Sequence, residues 1–284
     1  MNAVVFKGVE KGVVVEKRPI PKAEPGSVVV KVKYAGLCGS DLHYYRGLEP
    51  AGENPDFIIG HELTGEIFEV GEGVETFKVG DRIYFAALNA VSRLPSNLLV
   101  PPTVVVIGCG PVGLCALVAL SSLLSHTDAR IFAVDSVPSR LSRAQETVGA
   151  IPLNFKEVDV AEEVKKATFD RGADIVLELV GLEAALKTAF EVVRPFGTIS
   201  SVGVHNGKGG VGFTGAEGYD KNVQLQMGRC PVRSLFPRAL EVLKDNQEKL
   251  ECLTENIVPL SEAVSAYERF NKAEVQKFVF KVDE

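Results

Sequence analysis

The stretch Thr103-Val-Val-Val-Ile-Gly-Cys-Gly-Pro-Val-Gly-Leu114 constrains the fold of this 284-residue chain more than any other. Five uncharged residues, four of them β-branched and apolar, run into a GxGxxG at Gly108, Gly110 and Gly113, and Leu114 to Leu124 is apolar enough for a buried helix. In a strand-turn-helix that holds a pyrophosphate, the first glycine permits the tight turn. The second lets the phosphates approach the backbone, and the third lets the helix pack closely on the strand. The open N–H groups and positive dipole end of the helix then bind the anion. Gly108, Gly110, Pro111, Val112 and Gly113 are therefore the residues expected against a dinucleotide. The next expected strand, Arg130 to Asp135, ends in an acid 22 residues after Gly113. That is near the spacing of a carboxylate that binds an adenosine ribose. A purely structural glycine turn would not require that acid.

From Leu94 to Ser125 no residue is charged, a length that could span a bilayer. Pro95, Pro101, Pro102 and the clustered glycines would leave backbone groups unsatisfied in lipid, so a buried parallel strand and helix is the reading adopted. The net charge is −6 with dispersed basic residues, which excludes a nucleic-acid partner. The N-terminus lacks a basic region before an apolar core, and the five cysteines form no C-x-x-C. Both point to a reducing, cytoplasmic setting rather than a disulfide-stapled secreted one.

Residues 1–83 are expected to be β-rich: Ala3 to Phe6 and Val13 to Lys17 as a hairpin, then Val28 to Ala35, Leu63 to Val70 and Asp81 to Phe85. In the third strand Val30, Val32 and Tyr34 share one face and Lys31 and Lys33 the other. After Asp135, strand and helix alternate: a helix over Pro138 to Val148 stopped by Gly149, a helix from Val160, a strand over Ala173 to Glu178, a helix over Leu182 to Val192, and a strand over Gly197 to Val204. This pattern is α/β with a doubly wound parallel sheet. Gly181 and Gly203 close two strands at the carboxyl edge, as coenzyme contacts or as ordinary loop glycines. The strand Val223 to Met227, helices from Leu235 and Leu260, and a closing strand from Phe278 complete the chain.

Cys38-Gly-Ser-Asp-Leu-His43 follows one strand and Gly60-His-Glu62 precedes another. Cys38 and His61 can meet at adjacent strand ends as zinc ligands. Ser40 and His43 could pass a proton, and Asp41 and Glu62 could orient a ligand. On spacing alone the reading favoured is a buried thiol and satisfied turn histidines, because two scattered ligands do not make a zinc signature.

Gly-Leu-Cys-Gly-Ser-Asp-Leu-His, Gly-His-Glu, Val79-Gly-Asp-Arg82 and the glycine fingerprint, taken together, resemble the zinc-dependent alcohol dehydrogenases of the medium-chain dehydrogenase family. The resemblance implies a GroES-like catalytic domain, residues 1–83 completed by 229–284, and a Rossmann coenzyme domain, residues 84–228. It implies Cys38 and His61 as catalytic zinc ligands, Glu62 as their oxygen-bearing neighbour or transient ligand, and Ser40 and His43 as the relay for the alcohol proton. The coenzyme would be NAD, with Asp135 on the ribose and Arg140 and Gly203 close by. The partner would be a small alcohol or aldehyde, with self-association left open.

The departure from the family lies after Ile83. There the four-cysteine lobe that holds a structural zinc, and a further segment with a zinc ligand, are expected but missing. Instead Tyr84 to Ala90 resembles the helix that opens the coenzyme domain. Three functions stand for test: an alcohol or polyol dehydrogenase, an NAD-binding remnant with weak or no catalysis, and a zinc-independent reductase that would leave Cys38 and His61 unexplained.

Overall fold

A computed structural model describes residues 1–74, 82–84, 101–205, 210–228 and 232–282. The first elements are β1 (Asn2–Phe6), β2 (Val13–Lys17), β3 (Val28–Gly36), α1 (Asp41–Tyr45), β4 (Phe57–Ile58), β5 (Glu62–Val70) and β6 (Arg82–Tyr84). The middle of the chain forms β7 (Thr103–Ile107), α2 (Pro111–Leu123), β8 (Arg130–Asp135), α3 (Pro138–Val148), β9 (Ile151–Asn154), α4 (Val160–Ala167), β10 (Ala173–Glu178), α5 (Glu183–Val192), β11 (Val193–Ser201), α6 (Gly215–Lys221) and β12 (Gln224–Met227). It closes with α7 (Val232–Lys244), β13 (Ile257–Pro259), α8 (Ala263–Asn271) and β14 (Val279–Lys281). No helix among the described residues is long and apolar enough to cross a membrane.

The chain divides into two compact units, Met1–Ala86 with Glu251–Glu284, and Ala87–Leu250. Residues 229–250, expected from the sequence to return to the first domain, fall in the second unit, where α7 lies against α2.

In the first unit, β1 and β2 pair antiparallel from Asn2↔Lys17 to Phe6↔Val13. The reversal uses Gly8 at φ +101° and Gly12 at φ +64°, conformations that favour glycine. A second sheet has the order β13-β14-β3-β5-β6. Its centre, β3 against β5, carries two register shifts, and Lys33 is skipped between the pairs Val32↔Gly65 and Tyr34↔Thr64. That extra residue reverses the facing of the rest of the strand. Tyr34 is consequently 38% exposed, and the single alternating face expected for Val30, Val32 and Tyr34 breaks at the bulge. The core beneath joins Val4, Phe6 and Val13 to Tyr267, Phe270, Phe278 and Phe280, so the C-terminal segment supplies much of it. Tyr84, expected both within the strand Asp81 to Phe85 and at the start of a helix, ends β6; the rest of that helix, Asp81, Phe85, Pro95, Arg229 and Cys230 lie outside the described residues.

In the second unit the sheet order is β12-β11-β10-β7-β8-β9, every pair parallel. β7 and β10 are buried along their whole length, as expected of strands covered on both faces. α3 spans the sequence-predicted residues and stops at Gly149, whose φ of +69° is a left-handed cap. β11 starts at Val193 rather than Gly197. Its register jumps from Ala173↔Val193 to Ile175↔Thr198, and Phe196, at φ +58°, sits in the bulge. The bulge hides the strand start behind Pro195 and Gly197, which read locally as a turn.

Candidate functional site

The chemistry-bearing residues of the first unit converge at the start of α1 and the start of β5. The Cys38 N–H donates to Asp41 Oδ2 at 2.9 Å, and the Asp41 N–H donates to the Cys38 carbonyl at 3.2 Å, which closes a tight loop. Ser40 is the residue that would cap α1, yet its side chain makes no cap bond. Its hydroxyl turns the other way, donating to Cys38 Sγ at 3.3 Å and lying 3.2 Å from His61 Nε2.

The other ring nitrogen of His61, Nδ1, lies 3.1 Å from Oδ1 of Asp41, which is only 3% exposed. The Asp41 carboxylate, and then Cys38, push the His61 imidazole up to about 10 against the opposing effect of burial. Asp41 therefore fixes the ring and leaves Nε2 on the Ser40 side. Glu62 is the next residue along; it pairs with Gly36 across β3 and β5 and accepts a hydrogen bond from Lys277. One ligand atom each from Cys38, His61 and Glu62 lie within 4.8 Å of one another. A sulfur, an imidazole nitrogen and a carboxylate oxygen at that separation fit zinc.

His43 stands one turn along α1, and burial, foremost, holds its imidazole below the usual histidine range. From α8 the buried Tyr267 has its phenol raised, first by burial and then by the charges of Asp41 and Cys38. Sequence reasoning places neither Tyr267 nor Lys277 at the site. Both arrive from the far end of the chain, and no local motif marks them.

The second unit brings Gly108, Gly110 and Gly113 together as a turn. Gly108 lies at φ +94°, and a Cβ there would meet Val180 at 2.8 Å. A Cβ on Gly113 would lie 1.9 Å from the Gly108 carbonyl oxygen, whereas one on Gly110 would meet open space. The third glycine is thus required by packing and the second leaves room for a ligand, the division of roles a phosphate cradle needs. Pro111 and Val112 open α2, whose N-terminus faces that space through Gly110.

Asp135 closes β8, nearly buried. Its Oδ2 accepts the Cys109 N–H at 2.8 Å, its Oδ1 accepts those of Ser136 and Val137, and the Arg140 guanidinium lies 3.7 Å from Oδ2. Cys109, buried and beside Asp135, is pushed up to about 12, which makes it an inert thiol. Gly203 packs on Gly181, where a Cβ would be 2.0 Å from the Gly181 nitrogen. Below them, fully buried Glu178 accepts from Val180 N, Gly181 N and Ser201 Oγ, and its Oε2 lies 3.3 Å from His205 Nε2. No sequence signal points to that network.

Residues 24–116 match the family model described as alcohol dehydrogenase GroES-like domain, and residues 111–245 match that described as zinc-binding dehydrogenase. The zinc-type alcohol dehydrogenase B of Aspergillus flavus is 42% identical, with 100% of this chain and 82% of that protein covered. That alignment runs over 359 positions against 284 residues here, so it contains positions that this chain lacks. The (R,R)-butanediol dehydrogenase of Bacillus subtilis is 27% identical over 90% of this chain and 92% of its own. Among solved structures, alcohol dehydrogenase TADH from Thermus sp. ATN1 superposes with a TM-score of 0.84 at 30% identity, with 100% of both chains covered. With a Cys-His-Glu cluster in one unit and a glycine-cradled helix N-terminus in the other, this chain belongs to the zinc-type alcohol dehydrogenases of the medium-chain dehydrogenase family.

Proposed function

We propose that this protein is a zinc-dependent oxidoreductase that moves a hydride between an alcohol or polyol and NAD. The observation that carries the reading is the convergence of Cys38, His61 and Glu62 within 4.8 Å, with Asp41 orienting the histidine. When bound there, zinc supplies Lewis acidity toward a substrate oxygen, and the nicotinamide supplies the hydride acceptor.

The chain's own residues would do the rest. Asp41 holds His61 with Nε2 turned toward the thiol and hydroxyl of Cys38 and Ser40. Ser40, freed from capping, is placed to pass on the proton of an alcohol, and His43, whose imidazole burial holds below the usual histidine range, is the next acceptor. In the second unit, Gly108, Gly110, Pro111, Val112 and Gly113 receive the pyrophosphate. Asp135 receives the adenosine ribose, with Arg140 and Gly203 at the margins. A 2′-phosphate would meet the carboxylate of Asp135 in a nearly dry setting, so NAD is preferred to NADP.

We place the missing alignment positions after Ile83, where the family's structural-zinc lobe would begin. This supports a second reading: the metal site has three protein donors at most among the described residues, one already held by Lys277, so zinc would be loose and turnover weak. One experiment separates the two. Purified protein is measured for zinc and assayed for NAD reduction over an alcohol and polyol panel, beside Cys38→Ala. Stoichiometric zinc and brisk turnover, both lost in the variant, support the full enzyme. Substoichiometric zinc with slow turnover, abolished in the variant, supports the weakened one, and zinc content and turnover unaffected by Cys38→Ala would overturn both.

A further inference from the structure

Glu62 and Lys277 lie 215 positions apart in the chain and meet at one point of the first unit's sheet. Three neighbouring strands bring them together. β3 places Gly36 opposite Glu62 on β5 and opposite Val279 on β14, and Lys277 lies just before β14. Gly36 makes the meeting possible. A Cβ at that position would lie 2.4 Å from Glu62 Oε2 and 3.2 Å from Lys277 Cε, so the missing side chain is the space the pair occupies. The Lys277 side chain is 11% exposed and that of Glu62 24%, so water screens the pair poorly.

The same carboxylate is one of the three groups that could hold a metal. We propose that Lys277 governs the metal site by competing with zinc for Glu62, so that the ion pair is a built-in brake on zinc affinity. This rests on the assignment of zinc to Cys38, His61 and Glu62. The physical ground is charge. An ammonium on Oε2 withdraws electron density and occupies lone pairs that a ligating carboxylate would offer. It also sets a positive charge a few ångströms from where a dication must sit. Asp41 does the opposite for His61: its negative charge on Nδ1 makes the ring a better donor. The two partners therefore pull the site in opposite directions. Removing either charge shifts its affinity with the sign of that charge.

The test is zinc affinity by competition with a chromogenic chelator, with cobalt(II) absorption as a report on the donor set. Lys277→Met keeps a long unbranched side chain, one atom shorter, and removes its charge. It should tighten zinc binding by about tenfold, the scale on which partners of metal ligands act. Lys277→Arg, which keeps the charge, should behave as the parent. In a Glu62→Gln background, Lys277→Met should change affinity by much less, because the carboxylate competed for is gone. Unchanged or weakened affinity in Lys277→Met, or the same tightening with and without Glu62, would overturn the inference. Circular dichroism and the thermal midpoint of each variant keep a folding defect apart from a binding one. Cys38→Ala separates the underlying assignment: if it binds zinc as the parent does, the metal lies elsewhere and that assignment fails. If it loses zinc while Lys277→Met changes nothing, only the brake fails.

Discussion

A single methyl group tests the coenzyme turn. On Gly113 it would lie 1.9 Å from the Gly108 carbonyl oxygen, with backbone rather than a flexible side chain as the obstacle. Gly113→Ala should therefore destabilise the protein by about 2 kcal/mol and weaken NADH binding by about tenfold or more. Thermal unfolding and fluorescence titration read the two effects, and unchanged NADH affinity would contradict the assigned role of the turn. Asp135 is a harder residue to interpret, because its two oxygens already accept three backbone N–H groups. Asp135→Ala should narrow the preference for NAD over NADP and also cost about 1–3 kcal/mol through the orphaned N–H groups. A coenzyme preference that stays fixed while stability falls would make Asp135 purely structural. Tight NADP binding by the parent protein would overturn the NAD assignment outright.

Elements in the second unit are tied at the amino ends of their strands by Asp174. Its Oδ2 accepts the Thr103 N–H at the head of β7 at 2.8 Å, and both oxygens bond the Arg171 guanidinium. Arg194 Nε donates to Oδ1 at 2.7 Å from the start of β11. Burial pushes the carboxyl up, but the Thr103 N–H and the two guanidiniums outweigh it, and the net shift is downward. A depressed folded-state pKa means stability that is present above the unfolded value of about 3.9 and is lost as pH falls through the folded one. Asp174→Asn should cost about 2 kcal/mol at pH 7, and its difference from the parent should shrink toward pH 2. Urea unfolding across that range checks it, and a pH-independent difference would exclude the carboxylate charge as the cause.

The same unit shows what a linear reading can reach. Arg130–Asp135, Pro138–Val148 and Ala173–Glu178 stand at their expected bounds, because burial on both faces, a proline start and a left-handed glycine stop are all local signals. The start of β11, the bulge at Lys33 and the place of Lys277 beside Glu62 depend on register and long-range pairing, which no local pattern encodes. At the metal site, Cys38 and His61 are legible through family motifs rather than spacing. The turning of Ser40 away from its cap is visible only in three dimensions.

At the scale of the whole molecule, the two units are unequally built. The second has a parallel sheet with central strands buried throughout, whereas β3 and β5 of the first are only half-buried along most of their length. Amide exchange should therefore be faster over residues 1–74 than over 103–201; equal protection would show that the first unit closes as firmly as the second. The central claim, that zinc sits on Cys38, His61 and Glu62, is most directly tested by zinc X-ray absorption on the metal-loaded protein. One sulfur near 2.3 Å with nitrogen and oxygen near 2.0–2.2 Å is the expected shell. A shell with no sulfur, or with two or more, would contradict it.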